Sequence, residues 1–222
     1  MSIAQRITDI KQNIPTSTQL VAVSKFHSID TIREAYEAGQ RIFGESKVQE
    51  LTAKYEALPP DIEWHFIGHL QTNKIKYIIP FVKLIHSIDS PKLLSEISKQ
   101  AEKAGRIVDV LLQIHIAQEE TKYGFSPDEC LEYLAEKDWE QYKYVRICGL
   151  MGMATFTDNE DQIRSEYQVL SALYKKTKAT YFSGNNSFKE LSMGMSDDYP
   201  IAIAEGSTLI RVGSRIFGNR IY

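Results

Sequence analysis

Short apolar runs rich in β-branched residues recur along the chain and alternate with segments of helical periodicity. The clear runs cover residues 20–23, 41–43, 63–67, 83–88, 108–116, 145–151 and 208–212, and a weaker one lies at 181–183 or 191–193. Continuous runs of this kind are typical of strands that are buried on both faces of a parallel sheet.

Capping and breaking residues predict helices between these runs. An amphipathic N-terminal helix is expected to end before Pro15. Further helices are framed by Asp30 and Gly39 around 31–38, by Ser90-Pro91 and Gly105, and by a capping box from Ser126 to Glu129.

About eight strand–helix units favour an α/β fold with a single (β/α)8 TIM-type barrel, which occupies residues 1–222 as one domain. A doubly wound open sheet is the alternative. No G-x-G-x-x-G follows an early strand, which weakens that alternative.

Composition excludes several classes of protein. The net charge is -3 with 25% charged residues, so no basic surplus predicts nucleic-acid binding. Two cysteines do not make a disulfide framework. No apolar stretch has the form of a signal peptide or the length of a membrane span. We therefore expect a cytoplasmic protein without a membrane partner.

A lysine ends the first apolar run, at Leu20-Val21-Ala22-Val23-Ser24-Lys25. Strand ends on the carboxyl side form the active face of such barrels. One interpretation is that Lys25 simply reaches solvent where the strand stops. The other is a desolvated amine, whose lowered pKa leaves a lone pair for imine formation.

Two C-terminal segments could hold a phosphate. Residues 191–198 are small and precede a short helical pattern at 199–204, where N–H groups suit an anion; an ordinary helix cap is the alternative. Gly213-Ser214 follows the last run, in the region where barrels often bind phosphate. Arg211 faces the same side as Gly213 and needs an acceptor, such as a ligand or, alternatively, Glu45 or Glu205.

Two histidines, His65 and His69, invite a metal interpretation. They span a strand-to-turn junction rather than one helical face, and no H-E-x-x-H is present, so we expect no metal site. His65 is expected to pack within its strand and His69 to lie at the barrel mouth.

Together these motifs make the chain resemble the pyridoxal phosphate homeostasis protein family, whose fold is like the barrel domain of alanine racemase, the type III fold of pyridoxal 5′-phosphate (PLP) proteins. The order and spacing of the motifs cover nearly the whole chain. The matching stretches are VAVSK at 21–25, FGESKVQE at 43–50, WHFIGHLQTNK at 64–74, SIDS at 87–90, QEETKYGF at 118–125, GLMGMAT at 149–155, LSMGMSDD at 191–198 and GSTLIRVGSRIFG at 206–218.

The resemblance implies that PLP is the cofactor and that Lys25 forms a Schiff base with it. Arg211 matches the arginine that faces the pyridine nitrogen. The phosphate-binding positions that it implies are Ser192, Gly213 and Ser214, with backbone donors near Met195 and Ser196. His69 and Met151 match positions around the cofactor pocket in relatives.

One position departs from the family. Relatives usually read G-E-N where this chain has Gly44-Glu45-Ser46, and that asparagine lies near the cofactor ring. Ser46 is shorter, so the contact is expected to be lost or bridged by water. We expect altered binding rather than loss of the Schiff base.

The resemblance favours a PLP binder and carrier, acting as a monomer and passing PLP to apoenzymes, over a robust enzyme. Arginine keeps its protons and donates to an unprotonated ring nitrogen, which limits carbanion stabilisation. An amino-acid racemase or other weak PLP enzyme is the alternative. A third hypothesis is a PLP-independent barrel enzyme that acts on a phosphorylated metabolite, with Lys25 as a base.

Overall fold

A closed barrel of parallel strands forms the centre of the structure, which is a computed structural model that describes residues 1–119 and 123–218. Each strand pairs with the next in chain order, and the first closes against the last. The predicted (β/α)8 barrel is thereby confirmed. The strands are β1 (Gln19–Val23), β2 (Ile42–Glu45), β3 (Glu63–Phe66), β4 (Leu84–Ile88), β5 (Val108–Ile114), β6 (Val145–Gly152), β7 (Glu190–Ser192) and β8 (Leu209–Val212).

Helices connect the strands, and several begin where the sequence predicts. Ser90 and Ser126 cap helices through their side chains, and Ser126 forms the predicted capping box with Glu129. The helices are α1 (Ile3–Gln12), α2 (Ile29–Glu37), α3 (Val48–Ala57), α4 (Ile75–Ile78), α5 (Pro91–Lys103), α6 (Pro127–Glu136), α7 (Glu160–Tyr181), α8 (Tyr199–Ala204) and α9 (Ser214–Phe217), with 3₁₀ helices at Thr72–Lys74 and Asp138–Gln141.

The structure corrects one sequence-based expectation and decides between two alternatives for another. Ser28, not Asp30, caps α2, because the Ser28 hydroxyl accepts from Thr31 N while Asp30 lies in the first turn. Of the two positions for the weak strand, β7 occupies the second, and residues 181–183 lie at the end of α7 and just beyond it.

Side chains of alternate strand residues point to the barrel interior or to the helices, as strand geometry requires. Val21, Leu84, Leu111 and Leu209 come from four strands and pack together inside the barrel. Their strand neighbours, such as Ile85, Ile210 and Ala22, belong to the larger apolar cluster between sheet and helices. Within the described residues, no helix combines the length and the apolar character that a membrane crossing needs.

Candidate functional site

A cavity of about 540 Å³ opens at the carboxyl ends of the strands. Its volume falls in the range of roughly 300–1,000 Å³ that is usual for small-molecule sites. Six of the residues singled out from the sequence line it: Lys25, Met195, Ser196, Arg211, Gly213 and Ser214. The structure thus brings together the lysine of the first strand and the phosphate-binding candidates of the last loops.

Lys25 is half-buried at the cavity wall, two residues beyond the end of β1. A tight turn follows it, in which His27 N donates to Ser24 O at 3.1 Å. Phe26 has a left-handed backbone, with φ of +69°, which a residue with a bulky side chain rarely adopts. The Phe26 N–H donates to Glu50 Oε2 at 3.0 Å, and this bond helps to hold the unusual turn.

A buried ion pair lies behind this turn, on the helix side of the sheet. Lys54 of α3 donates to Glu45 Oε1 at 2.7 Å, to Ser24 O at 2.9 Å and to Glu50 Oε2 at 3.3 Å. Ser24 also donates its hydroxyl proton to Glu45. Burial raises the pKa of Glu45, and the charge of Lys54 opposes that shift. Lys54 therefore holds both residues that flank Lys25, directly at Ser24 and through Glu50 at Phe26.

The predicted phosphate-binding region is compact. Gly213 N donates to Ser196 Oγ at 3.1 Å, which joins the two C-terminal loops. A Cβ on Gly213 would lie 3.2 Å from Val23 O, so a glycine allows the close approach of β1 and this loop. Ser214 begins α9, whose first N–H groups have no acceptor within the helix. The predicted donor at Met195 is already engaged, because its N–H bonds to Asp198.

Arg211 reaches the cavity from inside the barrel, where only 4% of it is exposed. It donates to Gly152 O at 3.0 Å and to Ser192 Oγ at 2.5 Å. Burial lowers the pKa of the guanidinium from its ordinary value. The alternative ion pairs are not formed, because Glu45 pairs with Lys54 and Glu205 with Arg164.

Four predicted site residues lie off the cavity wall. Ser192 is fully buried and its hydroxyl accepts from Arg211, so its contact with a phosphate stays a prediction. Met151 packs in the apolar cluster inside the barrel. Ser46 is half-buried, with its backbone against Gly68.

The fourth of these residues is His69. Its side chain is 42% exposed, bonds to Asp89 at 3.0 Å and stacks on Tyr123 beside a neighbouring groove. Within the described residues, no cluster of three or more His, Cys, Asp or Glu could hold a metal ion.

Sequence reasoning missed other cavity residues, among them His27, Met153, Thr155 and Asp198. Met153 could have been found, because it lies two residues beyond Met151 and shares its inward phase. The QEETKYGF motif cannot be placed as a whole, since residues 120–122 lie outside the described residues.

Comparisons with known proteins agree with this architecture. Residues 1–220 match the family model described as "Alanine racemase, N-terminal domain". The chain is 41% identical to the pyridoxal phosphate homeostasis protein of Aquifex aeolicus over 208 residues, which cover 92% of this chain and 88% of that protein.

Solved structures of PipY from Synechococcus elongatus PCC7942 are also similar. The structure without PLP has a TM-score of 0.91 and 37% identity, and the structure with PLP bound has a TM-score of 0.87 and 36% identity. Each match covers 98% of this chain and 100% of that chain. From sequence and fold together, the chain belongs to the pyridoxal phosphate homeostasis protein family, built on the barrel of the alanine racemase N-terminal domain.

Proposed function

We propose that this chain binds PLP in the barrel-mouth cavity through a Schiff base with Lys25 and serves as an intracellular carrier of the cofactor. One observation carries the proposal. The cavity joins the amine of Lys25 to the loop at Gly213-Ser214, and Gly213 lies against Val23, two residues before that lysine. The relative whose structure is described as holding PLP supports the same ligand.

The residues on the cavity wall fit the three parts of PLP. An amine suits the aldehyde, since Lys25 would supply the nitrogen of a C=N bond and the aldehyde oxygen would leave as water. The hydroxyls of Ser196 and Ser214 can donate to a phosphate, and Arg211 can donate to a ring nitrogen. PLP, when bound, supplies an electron sink for chemistry at an amino-acid α-carbon.

The character of Arg211 favours carriage over catalysis. A guanidinium has donors but no acceptor, so it stabilises an unprotonated ring nitrogen, the weaker electron sink. The relatives share the name homeostasis protein, which agrees with a reserve of bound cofactor. We propose that residues 1–222 act as one domain, as a monomer in the cytoplasm, and pass PLP to apoenzymes.

Carriage is tested by transfer in the presence of a trap. The PLP-loaded protein is mixed with the apo form of a PLP enzyme and with a phosphatase that destroys free PLP, and recovery of activity is followed. We expect faster recovery than with the same amount of free PLP. Recovery that is no better than with free PLP would contradict direct transfer.

Two controls separate the hypotheses. Lys25→Ala should be colourless with PLP, while Lys189→Ala, at an exposed lysine away from the cavity, should be yellow. Equal colour in both variants rejects the Schiff base at Lys25. Solvent deuterium at the α-carbon of alanine, at a rate above that of free PLP, would favour the racemase.

A further inference from the structure

A continuous network of polar contacts, here called the polar network, crosses the barrel interior from the cavity toward the opposite end. It consists of Arg211, Ser192, His86 and His65. Arg211 Nη1 donates to Ser192 Oγ, and Ser192 Oγ lies 2.9 Å from His86 Nδ1. His86 Nε2 lies 3.0 Å from His65 Nδ1. The four residues come from four strands, β8, β7, β4 and β3, and each residue is at most 4% exposed.

The polar network has one consistent direction of proton donation. Arg211 has only donors, so its partner Ser192 accepts. A buried hydroxyl proton without an acceptor is costly, so Ser192 donates in turn to His86 Nδ1. His86 then carries its proton on Nε2 and donates to His65 Nδ1. This assignment gives each of the three contacts one donor and one acceptor.

The direction of donation requires that both histidines of the polar network are neutral. Burial lowers the pKa of His65 to about 3. Burial, followed by the proximity of His65 and Arg211, lowers the pKa of His86 well below its ordinary value. A charged His86 would donate from both nitrogens and would compete with Arg211 for the Ser192 lone pairs.

We propose that His86, backed by His65, is a positioning residue that fixes Ser192 as the acceptor for Arg211 and so aims the guanidinium at the cofactor's ring nitrogen. The inference rests on the proposed function, because the ring nitrogen is that of PLP. His86 lies outside the cavity wall and acts only through Ser192 and Arg211. Its loss should therefore affect the ring-nitrogen contact more than the rest of the site.

The test compares PLP with its carbocyclic analogue, in which C–H replaces the ring nitrogen. Dissociation constants of both are measured for the full chain, and borohydride reduction with mass spectrometry detects the adduct at Lys25. A hydrogen bond from a charged donor predicts a wild-type preference for PLP of roughly tenfold or more. In His86→Leu we expect that preference to fall at least about threefold, while the adduct at Lys25 still forms.

Two variants show whether the lost acceptor is the cause. His86→Asn keeps an oxygen near the position of Nδ1, so the preference for PLP should be largely retained. His115→Leu removes a half-buried histidine that is not part of the polar network, and it should leave the preference for PLP unchanged. If His86→Leu does not fold, Ser192→Ala carries the test, and the same fall is expected.

The outcomes distinguish this inference from the proposed function. No adduct at Lys25 in the wild-type protein overturns both. An adduct in the wild type and in His86→Leu, with an unchanged preference for PLP, overturns the positioning role alone. The role is likewise overturned if Ser192→Ala keeps the wild-type preference, or if His86→Asn loses as much as His86→Leu.

Discussion

The buried lysine behind the Lys25 turn offers a quantitative test of how the site is held. Lys54 is only 7% exposed, and Glu45, its partner at 2.7 Å, is fully buried. Among the described residues, Glu45 Oε2 has no hydrogen-bond partner, so the carboxylate depends on the contacts of Oε1. Lys54→Met removes the compensating charge and leaves the carboxylate buried.

Removal of one partner from a buried ion pair costs roughly 3–5 kcal/mol. A domain of ordinary stability has about 5–15 kcal/mol in total, so Lys54→Met should lose a large part of it. The corresponding fall in Tm is roughly 6–20 °C, at about 2–4 °C per kcal/mol for a chain of this size. Urea unfolding and thermal scans measure both quantities. Lys99→Met, at an exposed lysine paired with Glu96, is the matched control and should lose less than about 1 kcal/mol.

The pH dependence identifies the carboxylate as the cause. Burial raises the pKa of Glu45, and loss of Lys54 removes the charge that opposes this shift. A carboxyl with a raised folded-state pKa stabilises the fold at low pH, and this stability is lost as pH rises through that pKa. The deficit of Lys54→Met should therefore be smaller at about pH 5 than at about pH 8. A loss below about 1 kcal/mol, or a deficit that does not shrink at low pH, would show that Lys54 does not stabilise a buried Glu45 carboxylate.

Three further predictions concern the rest of the barrel. Gly149→Ala should lose several kcal/mol or fail to fold, because a Cβ would lie 1.7 Å from Glu190 O, and a Tm near the wild-type value would contradict this. Ser126→Ala should lose about 1 kcal/mol in urea unfolding through its capping box, and no loss would contradict the cap. Burial raises the pKa of both Cys130 and Cys148 to about 12, so a thiol reagent near neutral pH should label them only after unfolding. Rapid labelling of the folded protein would contradict their burial.

Much of the fold could be predicted from the sequence, because buried parallel strands leave long apolar runs. The exception is β7, which has three residues, Glu190–Ser192, and leaves too short a pattern to separate it from 181–183. The start of α2 is also hard to predict, since Ser28 and Asp30 are both good capping residues and only the geometry distinguishes them.

The site was less predictable, because sequence spacing does not say which strands face one another across a barrel. Lys25 and Arg211 could be placed at strand ends, and both line the cavity. The contact between Ser192 and Arg211 depends on the register of β7 and β8, which the sequence pattern does not give. The contact between His86 and His65 likewise forms only because both side chains point into the barrel from two neighbouring strands.

The proposed function depends on which amine binds the aldehyde of PLP, and peptide mapping identifies that amine. PLP-loaded protein is reduced with borohydride and digested with trypsin, which does not cleave after a modified lysine. We expect the adduct in the peptide 12–33, uncleaved at Lys25. An adduct confined to another lysine, or no adduct in saturating PLP, would contradict this expectation.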